Sequence, residues 1–394
     1  ALSQAGEWDG ALELVLDEFP RIDEMIQVVA FQTLALQIGA HFLDTEQYRK
    51  AIGCLQRVWP RARLLRHQRQ RLAALRARLE AAEQRTAQPF EMLTLAQLAS
   101  KVEREINQFK EIENFDSALR LRLGTAYLAM QRYREAALIM ADMLERMEPD
   151  PLVEQASLNL VKCWSAIEHW ERAVAAADGF AEVFPESAQL PQVLFMKGEA
   201  LRNDNRFAAA VEVFAGLVEE HPQARLAPRA WFMKGFSELQ AENYEQALAT
   251  FEELPAKFDS AELTEMAMYW RGMAHSFLDA HETCREIMSG YLERYPDGRY
   301  LGEATFRMAY CAQSLQDFDL AIRELRDFVA EFPRHLRRDE AQLLLGEALM
   351  AVGELDKGII ALQGVGDSNA KFFEEAQFKI GKAFRLQEEH GRLR

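Results

Sequence analysis

Ser368-Asn369-Ala370-Lys371 places a serine three residues ahead of a lysine, the spacing at which an amine can draw the proton from a hydroxyl nucleophile. The Ser-Asp-Asn and Lys-Thr-Gly elements that accompany this chemistry are missing, so the four residues read as a coincidence of composition. His275, His281 and Cys284 are the atom types a zinc ion takes. The two histidines, however, are six positions apart and fall on different faces of a helix. Cys54, Cys163, Cys284 and Cys311 form no CxxC pair and demand no particular redox compartment. Phosphate loops, dinucleotide loops, zinc-protease helices, nucleophile elbows and EF-hand patterns are all missing from the sequence. Paired acids are plentiful, but they lie where solvated helix faces are expected. No catalytic residue, cofactor or metal is therefore expected, and the chain reads as non-enzymatic.

The elements that would position any such groups are helical. The 394 residues are rich in alanine, leucine and glutamate, and they lack alternating β-branched runs. A net charge of -16 argues against a general binder of nucleic acid or anionic membrane. No apolar run reaches the roughly 18 residues of a membrane span. The chain opens on Ala1 without a signal peptide, which reads as a mature form or a piece of a longer protein.

Glycine inside a helix costs roughly 1 kcal/mol relative to alanine, yet Gly124, Gly198, Gly235, Gly272 and Gly346 all fall on one register of 37, with Val161 and Ala309 in the remaining slots. Two positions on runs a second small column: Ala126, Cys163, Ala200, Ser237, Ala274, Cys311 and Ala348. Short side chains let helices approach closely, so both columns predict a tight seam. A second helix opens at Tyr133, Trp170, Phe207, Tyr244, His281, Phe318 and Leu355, and three residues on it carries Ala136, Ala173, Ala210, Ala247, Cys284, Ala321 and Gly358. Pro185, Pro222, Pro296 and Pro333 close it, as expected of a residue that cannot continue a helix. Seven units of helix, turn, helix and turn follow from this.

The pattern resembles the tetratricopeptide repeat, or TPR, through Trp231, Gly235, Ala247 and Phe251, through Gly124, Tyr127 and Ala136, and through Gly198, Ala210, Phe214 and Pro222. The family's period is about 34 residues, so this is a long-period form. The resemblance implies an all-α fold, an α-solenoid coiling as a right-handed superhelix of helix-turn-helix repeats. The turns "FPES", "HPQA" and "YPDG" are similar to those of bacterial envelope TPR proteins of the outer-membrane assembly lipoprotein and Tol-Pal coordinator type. That likeness implies a periplasmic or outer-membrane-associated setting, with the cytoplasm as the alternative.

Four segments are expected. Residues 1–60 hold TPR-like hairpins, the first lacking its first helix. Residues 61–114 form an irregular insert, with eight arginines against two glutamates between Arg61 and Arg85 and with Leu65, Leu72 and Leu79 seven apart. This predicts a long helix with a narrow apolar seam. Residues 115–366 carry the seven repeats, and 367–394 begin a further one. The Thr86-Ala87-Gln88-Pro89 stretch is read as a turn.

What remains for function is surface. In TPR proteins the first helix of each unit lines the concave side, and the resemblance implies that a partner peptide or helix meets it there. The position after the glycine column reads Thr125, Lys162, Glu199, Phe236, Met273, Tyr310 and Glu347. Four of its members are polar, so Phe236, Met273 and Tyr310 are not required by the fold. Phe277 stands likewise among Asn203, Gln240 and Ser314, and Met266 among Gln192, Arg229 and Glu303. Met266, Met273 and Phe277 are spaced for one helical face. Three before the glycine column lie Phe195, Phe232, Tyr269 and Phe306, an apolar column suited to core or to groove floor. The expected partner face is therefore Phe232, Phe236, Met266, Tyr269, Met273, Phe277, Phe306 and Tyr310. Arg66, Arg69 and Arg76 are candidates for docking an acidic partner. The expected function is a non-catalytic scaffold for protein partners. The alternatives are an accessory part of a larger enzyme, or a protomer of a large complex or filament.

Overall fold

The computed structural model describes residues 6–25, 27–85, 88–367 and 369–392. Every long regular element among them is an α-helix, in agreement with the all-α expectation. Ser368 of the serine–lysine pair, and Thr86 and Ala87 of the expected turn, lie outside the described residues. The chain divides into two compact units, Ala1–Asp204 and Asn205–Arg394.

The first unit contains α1 (Trp8–Glu18), α2 (Val28–Asp44), α3 (Tyr48–Leu55), α4 (Arg61–Gln84), α5 (Pro89–Lys110), α6 (Phe115–Ala129), α7 (Tyr133–Arg146), α8 (Pro151–Ala166), α9 (Trp170–Val183) and α10 (Leu190–Asn203). Apart from α3–α4 and α5–α6, neighbours in sequence pack as antiparallel pairs, and the first helices α6, α8 and α10 also touch in succession. α3 packs directly on α6, and Gln56 donates to the Tyr127 hydroxyl at 2.6 Å. The stack is thus continuous in space across the α4–α5 excursion.

α4 and α5 pack chiefly on each other, and at their root Leu64 and Phe109 enter the core cluster of α1, α2, α3 and α6. Together they form a two-helix arm; 24 residues of α4 correspond to about 36 Å. Leu75, Ala82, Leu95, Ala99, Val102 and Ile106 are its buried seam. Within that seam Gln68 is fully buried and donates to Glu105 at 3.0 Å, and burial raises the Glu105 carboxyl above its ordinary range. A polar pair of this kind fixes helix register at some cost in stability. At the root, the Arg61 guanidinium donates to the carbonyls of Phe109, Lys110 and Ile112 at 2.9, 2.8 and 2.6 Å, closing the C-terminal end of α5.

The second unit contains α11 (Phe207–Glu220), α12 (Ala227–Gln240), α13 (Tyr244–Lys257), α14 (Ala261–Phe277), α15 (His281–Arg294), α16 (Leu301–Ser314), α17 (Phe318–Glu331), α18 (Arg338–Ala351), α19 (Leu355–Gln363) and α20 (Ala370–Arg392). Consecutive helices pack in pairs here too, and α12, α14, α16 and α18 touch in succession.

The glycine column does what its spacing predicts. A Cβ built on Gly235 would lie 2.9 Å from a Phe251 ring carbon and 3.1 Å from the Thr250 methyl. On Gly346 it would meet Leu362 at 2.5 Å, and on Gly272 the Met288 methyl at 2.5 Å. Each glycine therefore seats a large side chain from the second helix of its own hairpin. The second small column is also fully enclosed, from Ala126 and Cys163 to Ser237, Ala274, Cys311 and Ala348.

A third column, not anticipated, closes the hairpins. Gln131, Glu168, Asn205, Glu242, Asp279, Gln316 and Gly353 all have left-handed backbone, at φ from 55° to 82°. The next N–H donates back to the carbonyl five residues earlier, as in Arg132 to Tyr127, Asn243 to Glu238 and Asp317 to Ala312, each at 2.9 Å. This arrangement satisfies carbonyls left open at the end of each first helix. Six of these seven positions are not glycine, which is why composition alone did not mark them.

Candidate protein-interaction surface

The first helices of the second unit position most of the expected partner face, and they sort it into two groups. Phe232, Tyr269, Met273 and Phe306 are buried, at 4, 7, 6 and 1% exposure. Phe232 packs on Phe251 at 5.6 Å between ring centroids, and Phe306 on Phe328 at 5.6 Å. Tyr269 stacks on Tyr300 at 4.2 Å, and burial pushes its hydroxyl up to about 12. These four residues hold hairpins together and present almost nothing to a partner. The apolar column thus serves as core, because each ring is enclosed by the second helix of its own hairpin.

Phe277 is different. It stands 43% exposed at the end of α14 and stacks on Tyr244 at 5.3 Å. Phe236, Met266 and Tyr310 are half-buried. Phe236 meets the edge of Trp270 at 4.8 Å, and Arg307 lies over the Tyr310 ring at 5.1 Å. The single stripe expected of Met266, Met273 and Phe277 is not formed. Met266 packs with the α12–α13 cluster while Met273 packs with that of α15 and α16. A first helix in this stack has neighbours on both flanks, so residues one stripe apart are drawn to different hairpins.

Trp270, half-buried between Phe236 and the Tyr269–Tyr300 pair, extends the aromatic group and was not marked by the column argument. Its equivalents Met233, Arg307 and Leu344 share no chemistry. Beside these rings the Lys234 ammonium bonds Glu238 at 2.5 Å and Thr250 at 2.7 Å, and Thr250 donates to Glu238 at 2.6 Å. This buried network satisfies its own charges and holds α12 to α13.

On the arm, Arg66 and Arg69 are exposed and carry no ion pair among the described residues, whereas Arg76 is bonded to Glu103 at 2.9 Å. Residues 61–110 hold eleven lysines and arginines against five acids, so the arm is basic on an acidic chain. Its tip adds Phe90 and Leu93, which are 79% and 57% exposed. Sequence reasoning passed over both. The heptad spacing of Met92, Leu95, Ala99, Val102 and Ile106 was legible and would have left them outside the seam.

Among the described residues, no group of three or more metal-ligating side chains converges, and no helix is long and apolar enough to cross a membrane.

The tetratricopeptide-repeat family model matches residues 165–225, 195–262 and 306–368. No curated protein matches the sequence. Among solved structures, the C-terminal part of a TPR repeat-containing protein from Cytophaga hutchinsonii superposes with a TM-score of 0.51 at 11% identity, covering 65% of this chain and 98% of that one. The apo form of RapI gives a TM-score of 0.51 at 11% identity, over 82% of this chain and 97% of that one. At such identities the likeness is one of fold.

Proposed function

We propose that this chain, whose residues 165–262 and 306–368 match the tetratricopeptide-repeat family model, is a non-catalytic scaffold capturing a partner peptide or helix on the first-helix side of its second unit. The observation that carries this reading is Phe277. It is a large ring 43% open to solvent where sibling repeats carry Asn203, Gln240 and Ser314, so the fold does not need it. Phe236, Met266 and Tyr310 supply further half-open apolar surface. Aromatic and methionine surfaces of this kind suit adaptable recognition. Fully burying an exposed side chain of this size contributes about 1.5–3 kcal/mol; these four are already partly enclosed, so they anchor a partner whose remaining contacts supply the rest of the affinity. The basic arm supplies a second contact for an acidic partner. The long-period turns support a bacterial envelope as the setting.

The test is a capture experiment from the source cell with the intact chain and with a Phe277→Ser/Tyr310→Ser variant. Binding should fall at least about tenfold, the equivalent of 1.4 kcal/mol, while the helical circular dichroism stays unchanged. Retention of every partner by a folded variant would remove this face from the proposal. Raising the salt concentration should weaken the arm's contribution first, because exposed charges are screened.

A further inference from the structure

The glycine column continues past Gly346. Ala341-Gln342, Gly346 and Ala348 recur 35 residues on as Ala376-Gln377, Gly381 and Ala383, so α20 is built as one more first helix. Ala376, Ile380 and Ala383 pack it onto the preceding hairpin, in one cluster with Leu343, Ile359 and Leu362. Its opposite face is open. A Cβ built on Gly124, Gly235, Gly272 or Gly346 runs into Met140, Phe251, Met288 or Leu362 of the following second helix, whereas one built on Gly381 meets nothing within 4 Å.

Two large rings flank that empty notch. Phe378 continues the column of Phe195, Phe232, Tyr269, Phe306 and Leu343, all of them buried, yet it is 75% exposed. Phe384, three residues beyond the glycine, is 50% exposed where its equivalent Leu349 is buried.

The earlier hairpins show which part of a second helix each position meets. Phe232, three before its glycine, packs on Phe251 midway along α13. Met350, four after its glycine, lies against Gly358 in the first turn of α19. Glu265, seven before its glycine, accepts from the Tyr291 hydroxyl at 2.6 Å in the last turn of α15. On α20 these three places are held by Phe378, Arg385 and Glu374. Arg385 and Glu374 are exposed, and neither has an ion pair among the described residues.

The open face is therefore complementary to a helix of definite character. It runs antiparallel to α20, with an acid in its first turn beside Arg385 and a base in its last turn beside Glu374. Midway it carries a large apolar side chain for the Gly381 notch. Charges in that order also suit the helix dipole. Within this chain α13 has the layout, with Glu245 in its first turn, Phe251 midway and Lys257 in its last turn.

We propose that α20 is a docking site at which an amphipathic helix of a partner protein, acidic at its N-terminal end and basic at its C-terminal end, adds to the stack as the second helix of a further hairpin. Its large apolar residue seats on Gly381 between Phe378 and Phe384. The site uses none of the residues of the Phe277 face, so each can fail without the other.

The probe is a fluorescein-labelled, end-capped peptide of residues 244–257, added to the intact chain and followed by fluorescence anisotropy. A second peptide exchanges the end charges, Glu245→Lys with Lys257→Glu, and keeps the same composition. The native-order peptide should bind saturably, and the exchanged one about threefold more weakly. Gly381→Leu fills the notch and should weaken binding at least about tenfold. Its melting midpoint should not fall, because the added side chain meets no neighbour. Arg385→Glu should weaken the native-order peptide and strengthen the exchanged one, a reversal that general loss of structure would not produce. The Phe277→Ser/Tyr310→Ser variant should bind like the unaltered chain. Absence of saturable binding, or binding indifferent to Gly381→Leu, would overturn the proposal. So would concentration-dependent self-association in sedimentation that Gly381→Leu abolishes, since the face would then belong to a second copy of this chain.

Discussion

The α12–α19 hairpins and the α4–α5 arm are built from the same residue types and solve opposite problems. In the hairpins every helix has neighbours on two sides, so small residues recur every 37 positions and large side chains fall into the gaps. Beyond its root each helix of the arm has one partner, so a single apolar seam recurs at heptad spacing and the other faces, Phe90 and Leu93 apart, are largely polar. The hairpins consequently bury or half-bury every Phe, Tyr and Trp but Phe277, while the arm leaves Arg66, Arg69, Phe90 and Leu93 open. Side chains available for recognition are thus what remains after packing, and the number of neighbours decides how much remains.

The comparison fails first at the glycine column if it fails anywhere. Gly235→Leu drives a branched side chain into Phe251 and Thr250, and urea unfolding should show a loss of about 3 kcal/mol or more. Gly272→Ala should cost about 1 kcal/mol or less, because the atom it meets is the mobile end of Met288. Equal effects would mean that the rigidity of the opposing side chain is irrelevant.

The arm's independence is tested next. Leu75→Ala removes a side chain from the arm's own seam, at about 2–3 kcal/mol. Hydrogen exchange should quicken in α4 and α5, with the amides of α12–α19 unaffected. Faster exchange in the second unit would show that the arm is coupled to the hairpins.

The smallest expected effect separates backbone from packing. Glu242 holds φ at 62° with nothing but its turn to require it, so Glu242→Gly should stabilise the chain by about 0.5–1 kcal/mol. A rise in melting midpoint of a few degrees would confirm it, and a fall would show that the Glu242 side chain contributes more than its conformation costs.

Much of the hairpin architecture was legible because glycine and alanine are informative where a helix is otherwise uninterrupted. The arm's long helix was legible from Leu65, Leu72 and Leu79. The partner face was legible only in part. Phe306 and Phe277 are both aromatic in a first helix, yet one is 1% and the other 43% exposed. Their sequence columns separate them, since the Phe306 column is apolar in every unit and the Phe277 column is not. Met273 breaks that rule: its column is mixed, yet it is buried in the cluster formed with α15 and α16.

What the residues alone determined is the period, the helix pairs and the close seam, because these depend on side-chain size repeated at fixed spacing. Only the tertiary structure decided that α3 reaches α6 past the inserted arm, that Cys284 and Cys311 share one buried cluster, and which rings reach solvent. Each of these depends on segments distant in the chain arriving at the same place, and a one-dimensional pattern records spacing along a helix but not the neighbour that covers it.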